Sequence, residues 1–287
     1  MIRKFLLFLE MIKFEHSVFA LPFAYLGLVL AEGGWPRPYL LGWVTLAMVS
    51  FRTMAMALNR LIDLQIDGAN PRTRDRALPA KKIKAPFVWR IVLLAFLLFE
   101  WSAFKLGPRC FTLSPIPVFL AWLYPWMKRF TWASHFVLGL ILGMAPYGAW
   151  LASRGEFSWV PGLFTLGVAS WVAGFDIIYA LQDEGFDSEN GLYSIPARFG
   201  KKRSLEFTRC LHAATILFWF AAGSLAGLGW IYFAGLGAVA LFLMREHWLV
   251  RSFGLKKIGE AFFVMNAIVS LAIFAATVAD FAWGRFS

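Results

Sequence analysis

The chain has 287 residues, of which 60% are hydrophobic and only 16% are charged. Soluble proteins average about 45–50% apolar and about 25% charged residues. A water-soluble globule of this size could not bury so much apolar surface, which excludes a soluble enzyme, a disordered chain and a nucleic-acid-binding domain. The net charge of +11 is instead typical of a polytopic membrane protein, because loops on the cytoplasmic side collect Lys and Arg.

Long apolar stretches divide the chain into candidate membrane-spanning segments. A helix needs about 20 mostly apolar residues to cross the hydrocarbon core of a bilayer. The stretches lack the strict alternation of a β-barrel strand, so they favour helices. In chain order, we predict nine spans, at 17–33, 40–60, 86–104, 111–127, 133–152, 159–180, 207–226, 229–245 and 261–282. Merging 207–226 with 229–245 gives eight, and in either case residues 1–287 form one all-α integral membrane domain.

The distribution of basic residues tests this order of spans. With the N-terminus in the cytoplasm, the segments on the cytoplasmic side hold most of the 28 Lys and Arg residues. The two longest loops, 61–85 and 181–206, fall on the same side. Long loops with a sequence pattern of their own usually carry function. We therefore expect a multi-pass protein of a bacterial-type inner (plasma) membrane, with its functional loops facing the cytoplasm.

The first long loop combines regularly spaced acidic residues with arginines. Asn59, Asp63 and Asp67 are four residues apart, so on a helix they share one face. Arg72 and Arg76 follow shortly afterwards, and guanidinium groups suit a polyanion such as diphosphate. The loop therefore brings carboxylates and cations together at the point where the second predicted span ends.

The second long loop repeats the acidic spacing of the first. Asp183 and Asp187 stand 120 residues after Asp63 and Asp67, again at the end of an even-numbered span. Asp176 precedes them at a spacing that places it on the same helical face. The repeat indicates a degenerate internal duplication, so we predict two pseudo-repeated units of four helices.

Two pairs of carboxylates at one mouth would repel one another and raise their own pKa values unless they were compensated. A hard divalent cation removes that repulsion, and Mg²⁺ is commonly held by one or two carboxylates together with substrate phosphates. Lys128 and Arg129, in a loop on the same side, add further positive charge. The pattern therefore predicts a Mg²⁺ site for a diphosphate. The alternative is that these are solvated charges at helix ends that pair with each other.

At these residues the sequence resembles the UbiA family of intramembrane aromatic prenyltransferases. Residues 59–67 resemble the family's NxxxDxxxD motif, and residues 70–79 resemble the Asn-Pro-Arg-Thr tail that follows it. Residues 179–187 resemble its Tyr-x-x-Gln-Asp-x-x-x-Asp motif, and residues 124–131 resemble the basic loop between the two. The resemblance implies an all-helical fold of about nine spans around a central cavity that opens laterally to lipid.

The resemblance also implies that Mg²⁺ lies between the acidic motifs and a polyprenyl diphosphate, whose prenyl group passes to an aromatic hydroxy acid. The residues that match the family's catalytic positions are Asn59, Asp63, Asp67, Asp183 and Asp187, and the four aspartates are the predicted metal ligands. The predicted diphosphate-binding cations are Lys128, Arg76, Arg72 and Arg129. Arg60 replaces an acidic residue of many members. Because it lies off the face of Asn59, we expect no metal ligand to be lost.

Three further residues are predicted to bind the aromatic acceptor. Asp176 matches an acidic position near the acceptor in the family, and Tyr179 opens the second motif. Arg52 lies seven residues before Asn59 on the same helical face, and a buried cation there needs an anionic partner. That partner is either the carboxylate of the acceptor or Asp176.

The choice of acceptor rests on finer resemblances. His135, residues 174–179 and residues 194–196 resemble the branch described as 4-hydroxybenzoate polyprenyltransferase-like, which implies ubiquinone or menaquinone biosynthesis. Some members of that branch serve the futalosine route to menaquinone, so 1,4-dihydroxy-6-naphthoate is the alternative acceptor. Each histidine of the chain is expected to have a polar role at a helix end rather than a catalytic one.

Two other classes of protein compete with this interpretation. One is a secondary transporter of an anionic metabolite, which an internal repeat and charges within the membrane also favour. The other is a different enzyme of lipid diphosphates, such as a CDP-alcohol phosphotransferase, although that family packs its acidic residues into a single motif. We expect the partners to be the two substrates and the lipid bilayer, with no nucleic acid and no obligate protein partner.

Overall fold

The computed structural model describes residues 2–13, 17–253 and 258–284, and within these ranges the chain is helical with no strand. The helices are α1 (Ile2–Met11), α2 (Ser17–Glu32), α3 (Pro38–Ile62), α4 (Leu64–Ala69), α5 (Ala85–Leu106), α6 (Pro108–Leu113), α7 (Pro115–Met127), α8 (Ser134–Arg154), α9 (Trp159–Ala180), α10 (Glu184–Glu189), α11 (Ile195–Leu225), α12 (Trp230–Phe253) and α13 (Ile258–Trp283). The prediction of an all-α membrane protein is confirmed.

Several of these helices are long and apolar enough to cross a membrane. Seven such segments occur in the described ranges, at Pro38–Ile62, Ala85–Leu106, Pro108–Met127, Ser134–Arg154, Trp159–Ala180, Trp230–Ser252 and Val264–Trp283. Each overlaps one predicted span. The two other predicted spans correspond to α2, whose apolar part Ala20–Glu32 is shorter, and to the second half of α11. The count of nine spans stays a prediction.

The outward face of α5 shows which solvent surrounds the bundle. Trp89, Leu93, Leu97 and Trp101 are spaced four residues apart, so they form one stripe along the helix, and each is more than half exposed. A soluble protein rarely exposes a continuous apolar patch of this kind. Hydrocarbon covers such a stripe at no cost, which agrees with a multi-pass membrane protein.

Small residues let the helices near the second acidic loop pack closely. A Cβ atom placed on Gly139 of α8 would lie 2.2 Å from the carbonyl oxygen of Ala169 on α9. A Cβ atom on Gly167 of α9 would lie 2.3 Å from the ring of Trp219 on α11. Glycine at these positions therefore allows contacts between helix backbones and neighbours that any side chain would prevent. The packing holds α8, α9 and α11 in one fixed arrangement.

Two hydrophobic clusters support the two halves of the molecule. The larger one contains the buried rings of Trp171, Trp219 and Tyr232 from α9, α11 and α12. The hydroxyl of Tyr232 donates to the backbone carbonyl of Trp219 at 2.8 Å, so the one polar group of that ring is satisfied. The other cluster joins α1, α3, α5 and α7 around buried residues that include Met54 and Val88. Each cluster lies against one of the helices that end in an acidic loop.

Candidate active site

Both acidic loops have the same local structure. Asp63 follows α3 with φ −89° and ψ 8°, and Asp183 follows α9 with φ −104° and ψ 4°. Each aspartate is followed by a six-residue helix, α4 or α10, and Asn70 and Asn190 stand at the ends of these short helices. In both loops the second aspartate of the pair lies one helical turn beyond the first. The repeated geometry supports the duplication predicted from the DxxxD spacing.

Asp63 is buried and is surrounded by polar groups from two elements. Its carboxylate lies 2.8 Å from Nζ of Lys128 and 3.3 Å from Nη1 of Arg129, both of which follow α7. Nδ2 of Asn59, one turn earlier on α3, donates to Oδ2 of Asp63 at 3.3 Å. The basic segment predicted to bind diphosphate therefore meets the first acidic motif directly.

Asp67 is buried as well and is held mainly by Arg76. Nη1 of Arg76 donates to both carboxylate oxygens of Asp67 at 2.9 Å. Nη1 of Arg60 lies 3.7 Å from Oδ2 of Asp67 and donates to Oδ1 of Asn59 at 3.1 Å. Arg60 does not share the helical face of Asn59, as its spacing predicts, but its long side chain reaches across the helix surface to the acidic group.

Asp183 connects the second loop to the first. Nε of Arg72 donates to its Oδ1 at 2.8 Å, Nη2 of Arg72 forms a second bond to Oδ2, and Nδ2 of Asn70 donates to Oδ1 at 3.0 Å. Burial raises the pKa of Asp183, but the bonds from Arg72 and Asn70 outweigh burial and hold the pKa below its ordinary value. The carboxylate is therefore kept ionised by residues of the other loop.

Asp187 differs from Asp183 in its environment. Burial raises the pKa of Asp187 above its ordinary value, and the nearby charge of Asp183 adds to this, while a hydrogen bond from Ser194 opposes it. Lys128 also lowers this pKa through its charge. A cation bound beside Asp187 would favour its ionised form and lower this pKa again.

All of the predicted catalytic residues line one cavity of about 1510 Å³. This volume exceeds the 300–1,000 Å³ of ordinary small-molecule pockets, so the cavity can hold a long substrate. Beyond the charged end its walls are mainly apolar and include Phe51, Phe99, Leu138 and Ile141. The central cavity that the family resemblance implies is present.

The residues predicted to bind the acceptor also line this cavity, with different partners. Oδ2 of Asp176 lies 2.7 Å from Nδ1 of His135. The hydroxyl of Tyr179 accepts a bond from Nη1 of Arg72 at 3.0 Å, which places Tyr179 beside Asp183. Nη2 of Arg52 donates to the backbone carbonyl of Lys13 at 3.4 Å. Asp176 was one of the two partners considered for Arg52. In the structure, Asp176 contacts His135.

Some contacts of the site, and one of its residues, carry no clear signal in the sequence. The contact between His135 and Asp176 joins two helices, and no local pattern predicts it. Asn266 of α13 is buried and lines the cavity, and neither polar atom of its side chain has a hydrogen-bond partner among the described residues. The one sequence signal for Asn266 is that it is a polar residue inside an apolar span. Asn70, in contrast, stands in the motif tail itself.

The oxygen ligands at the mouth of the cavity fit a Mg²⁺ ion whose coordination shell is completed by the substrate. Among the described residues, no three Asp, Glu, His or Cys side chains come together as a ready-made metal site. The four aspartates and Asn59 nevertheless offer oxygen atoms to the same cavity. Mg²⁺ prefers such hard oxygen ligands and is usually bound by one or two carboxylates plus substrate phosphates, rather than by a closed protein cage.

Long apolar helices around a cavity, with acidic and basic loops at its mouth, define the chain as a polytopic membrane protein with a charged binding site. The sequence model of the UbiA prenyltransferase family matches residues 20–268, and the chain belongs to this family. The similarity extends to solved structures. The apo structure of a UbiA homolog from Aeropyrum pernix K1 superposes with a TM-score of 0.85 at 32% identity, covering 93% of this chain and 98% of the other.

Similar curated proteins are named 4-hydroxybenzoate octaprenyltransferase. The protein from Vibrio vulnificus (strain CMCP6) is 30% identical over 257 residues, which cover 87% of this chain and 88% of the relative. The protein from Francisella tularensis subsp. novicida (strain U112) is 28% identical over 255 residues, covering 88% and 89%. A UbiA homolog from Archaeoglobus fulgidus, solved with DMAPP and Mg²⁺, shares the fold with a TM-score of 0.72 at 17% identity, covering 95% and 99%.

Proposed function

We propose that this protein transfers a polyprenyl group from polyprenyl diphosphate to the ring of an aromatic hydroxy acid of the 4-hydroxybenzoate type. The reaction depends on Mg²⁺ and belongs to respiratory quinone biosynthesis. One observation carries the proposal. Both DxxxD pairs line a single cavity, and three of their four carboxylates are held by cations that can bind a diphosphate.

Relatives support the choice of substrates. The curated proteins similar to this chain along most of its length are named for 4-hydroxybenzoate and an octaprenyl group. The Archaeoglobus fulgidus homolog was solved with DMAPP and with GPP, in each case with Mg²⁺. These ligands are prenyl diphosphates, which agrees with the charged mouth and the apolar walls of the cavity.

The charges at the mouth are arranged for an exchange of partners. The residues proposed to hold Mg²⁺ together with the substrate are Asn59, Asp63, Asp67, Asp183 and Asp187. When bound, the metal supplies positive charge that stabilises the departing diphosphate. The cations that now pair with these aspartates are Arg72, Arg76, Lys128 and Arg129. They are proposed to turn toward the diphosphate oxygens, which accept strong charge-assisted hydrogen bonds.

The chain's own residues then act on the two reacting ends. The bond between the first prenyl carbon and the diphosphate oxygen breaks, and its electron pair leaves with the diphosphate. Guanidinium and ammonium groups stabilise the charge that develops there. A ring carbon next to the acceptor's hydroxyl bonds to the prenyl carbon and passes its proton to an acidic residue of the site or to water. Asp176, Tyr179 and Arg52 are proposed to bind the acceptor, and the apolar walls keep water from the allylic cation.

The test supplies purified protein with Mg²⁺, a long-chain polyprenyl diphosphate and one acceptor at a time. The acceptors are 4-hydroxybenzoate, 1,4-dihydroxy-6-naphthoate and a phenol without a carboxylate, and the products are measured by mass spectrometry. We expect prenylation of an acid and little of the phenol. Turnover of the naphthoate alone would assign the futalosine-type acceptor, and an equal rate with the phenol would remove Arg52 from the acceptor site. No product with any acceptor would contradict the proposed function and leave the transporter interpretation.

A further inference from the structure

His135 and Asp176 form a close side-chain contact in the cavity that involves neither acidic motif. Nδ1 of His135 lies 2.7 Å from Oδ2 of Asp176. The side chain of His135 is 4% exposed and that of Asp176 is 19% exposed, and both residues line the cavity. Asp176 is therefore the member of the pair that presents more of its surface to a bound molecule.

A third contact determines which atom carries the proton. The backbone N–H of Ile195 points to Nε2 of His135 at 3.4 Å. A backbone N–H can only donate, so Nε2 acts as the acceptor and carries no proton. The proton of the neutral imidazole is then on Nδ1, and Nδ1 donates to the carboxylate of Asp176. By this assignment, His135 donates the hydrogen bond through Nδ1 and Asp176 accepts it.

The surrounding packing prevents the imidazole from turning away. His135 lies in the first turn of α8, Asp176 lies near the end of α9, and the two helices approach closely at Gly139. Ile195 is fully buried and begins α11 directly after the second acidic loop. The ring is thus fixed by three elements, which is the arrangement expected of a group that orients another side chain.

We propose that His135 is a positioning residue that presents Asp176 as a fixed anion to the hydroxyl end of the aromatic acceptor. The inference rests on the proposed function. An ionised carboxylate accepts a hydrogen bond from a phenolic hydroxyl, but it repels the carboxylate at the other end of the same molecule. The pair therefore selects one orientation of a hydroxy acid in the cavity.

This orientation serves the reaction in two ways. A hydrogen bond from the hydroxyl to an anion increases electron density on the phenolic oxygen and on the neighbouring ring carbons, one of which attacks the prenyl group. The carboxylate end of the acceptor is directed away from Asp176, and the cation Arg52 lines another part of the same cavity. His135 contributes by fixing Asp176, without contact with the acceptor.

The experiment compares His135→Leu, which removes the donor, with His135→Asn, whose side-chain amide can donate from the position of Nδ1. Steady-state rates are measured with Mg²⁺, a long-chain polyprenyl diphosphate and the better of the two acids. We expect His135→Leu to lower kcat/KM for the acceptor by about tenfold or more, with the KM for the prenyl diphosphate within about twofold of wild type. His135→Asn should recover most of the loss.

A double variant separates positioning from general damage. Asp176→Asn should itself lower kcat/KM for the acceptor, and adding His135→Leu to it should cost little more, because the two residues act as one unit. The matched control is His247→Leu, which removes another hydrogen-bonded histidine, one that does not line the cavity. That variant should keep the wild-type KM for the acceptor.

Two results would overturn the inference. One is a wild-type kcat/KM for the acceptor in His135→Leu. The other is an equal loss toward both substrates without recovery in His135→Asn, which would indicate a purely structural histidine. If His135→Leu does not fold, the same cycle is measured with His135→Gln, whose side-chain amide reaches the position of Nε2 and not that of Nδ1, and additive losses of His135→Gln and Asp176→Asn then count against the proposal. Failure of the proposed function is distinct, since the wild-type protein would then form no prenylated acid.

Discussion

At the scale of single residues, three of the four carboxylates of the site are paired with cations before any substrate arrives. Asp63 binds Lys128 and Arg129, Asp67 binds Arg76, and Asp183 binds a residue of the other loop. Buried charges are stable only when they are paired. The pairs therefore stabilise the protein without ligand and keep the cations next to the place where a diphosphate is proposed to bind.

Replacing Lys128 by Ala should weaken binding of the prenyl diphosphate. Lys128 is one of two cations on Asp63, so Arg129 still holds this carboxylate and the variant should fold. We expect the KM for the prenyl diphosphate to rise about tenfold, while the KM for the acceptor changes less than twofold. Steady-state kinetics with each substrate varied in turn measures both values. The control is Lys201→Ala, at an exposed position outside the cavity. If Lys128→Ala changed only the KM for the acceptor, our assignment of the two substrates would be reversed.

Replacing Arg72 by Ala should lower the free energy of unfolding more at neutral pH than at acid pH. The pKa of Asp183 is depressed in the folded protein, so its ion pair adds stability above the ordinary value of 3.8 and loses that contribution as pH falls through the folded pKa. We expect Arg72→Ala to lose about 1–2 kcal/mol at pH 7 and much less at a pH below the depressed pKa of Asp183. Thermal unfolding in detergent at both pH values measures this. An equal loss of stability at both pH values would contradict the account. So would a similar loss in the control Arg74→Ala, which replaces an exposed neighbouring arginine.

At the scale of helices, the site depends on how closely α8 and α9 pack. Gly139 of α8 lies against the backbone of Ala169, and a Cβ atom there would come within 2.2 Å of a carbonyl oxygen. The helix axes would have to separate, which would move His135 relative to Asp176. Close packing at one point thus controls a hydrogen bond at the end of the same helix pair.

Gly139→Ala should destabilise the protein by about 1–3 kcal/mol, because the added methyl group has no space. Gly148→Ala is the matched control, since it lies on the same helix and a Cβ atom there would have no neighbour within 4 Å. Thermal unfolding of the two variants in the same detergent measures the difference. Equal melting temperatures would show that the α8–α9 contact is looser than described.

The sequence predicted the acidic loops well because their signal is local. The DxxxD spacing and its repetition led to Asp63 and Asp183, and both begin short helices of equal length. Contacts between distant helices were not predictable in this way. The bond between His135 and Asp176 depends on the packing of α8 on α9, and the reach of Arg60 to Asp67 depends on a side-chain conformation that helical spacing does not determine.

At the scale of the whole molecule, the cavity and its charged mouth require a defined orientation in the membrane. The distribution of Lys and Arg predicts that both acidic loops face the cytoplasm. In a protein whose free Cys110 and Cys210 are replaced by Ser, single cysteines introduced at residues 75 and 252 should then react with a membrane-impermeant thiol reagent only from the cytoplasmic side, and those at 36 and 155 only from the outside. Labelling of intact cells and inverted vesicles measures this. Cytoplasmic labelling at 155 would contradict the nine-span topology.

The central claim is that the two acidic loops together form the site of prenyl transfer. The most direct measurement is formation of the prenylated acid by the purified wild-type protein and by Asp63→Ala, Asp183→Ala and the control Glu189→Ala, with Mg²⁺ and after its removal by a chelator. Glu189 is exposed on α10 and does not line the cavity. We predict wild-type turnover in Glu189→Ala, at least a hundredfold loss in each aspartate variant, and no turnover without divalent metal. Near-normal turnover in both folded aspartate variants would contradict the account.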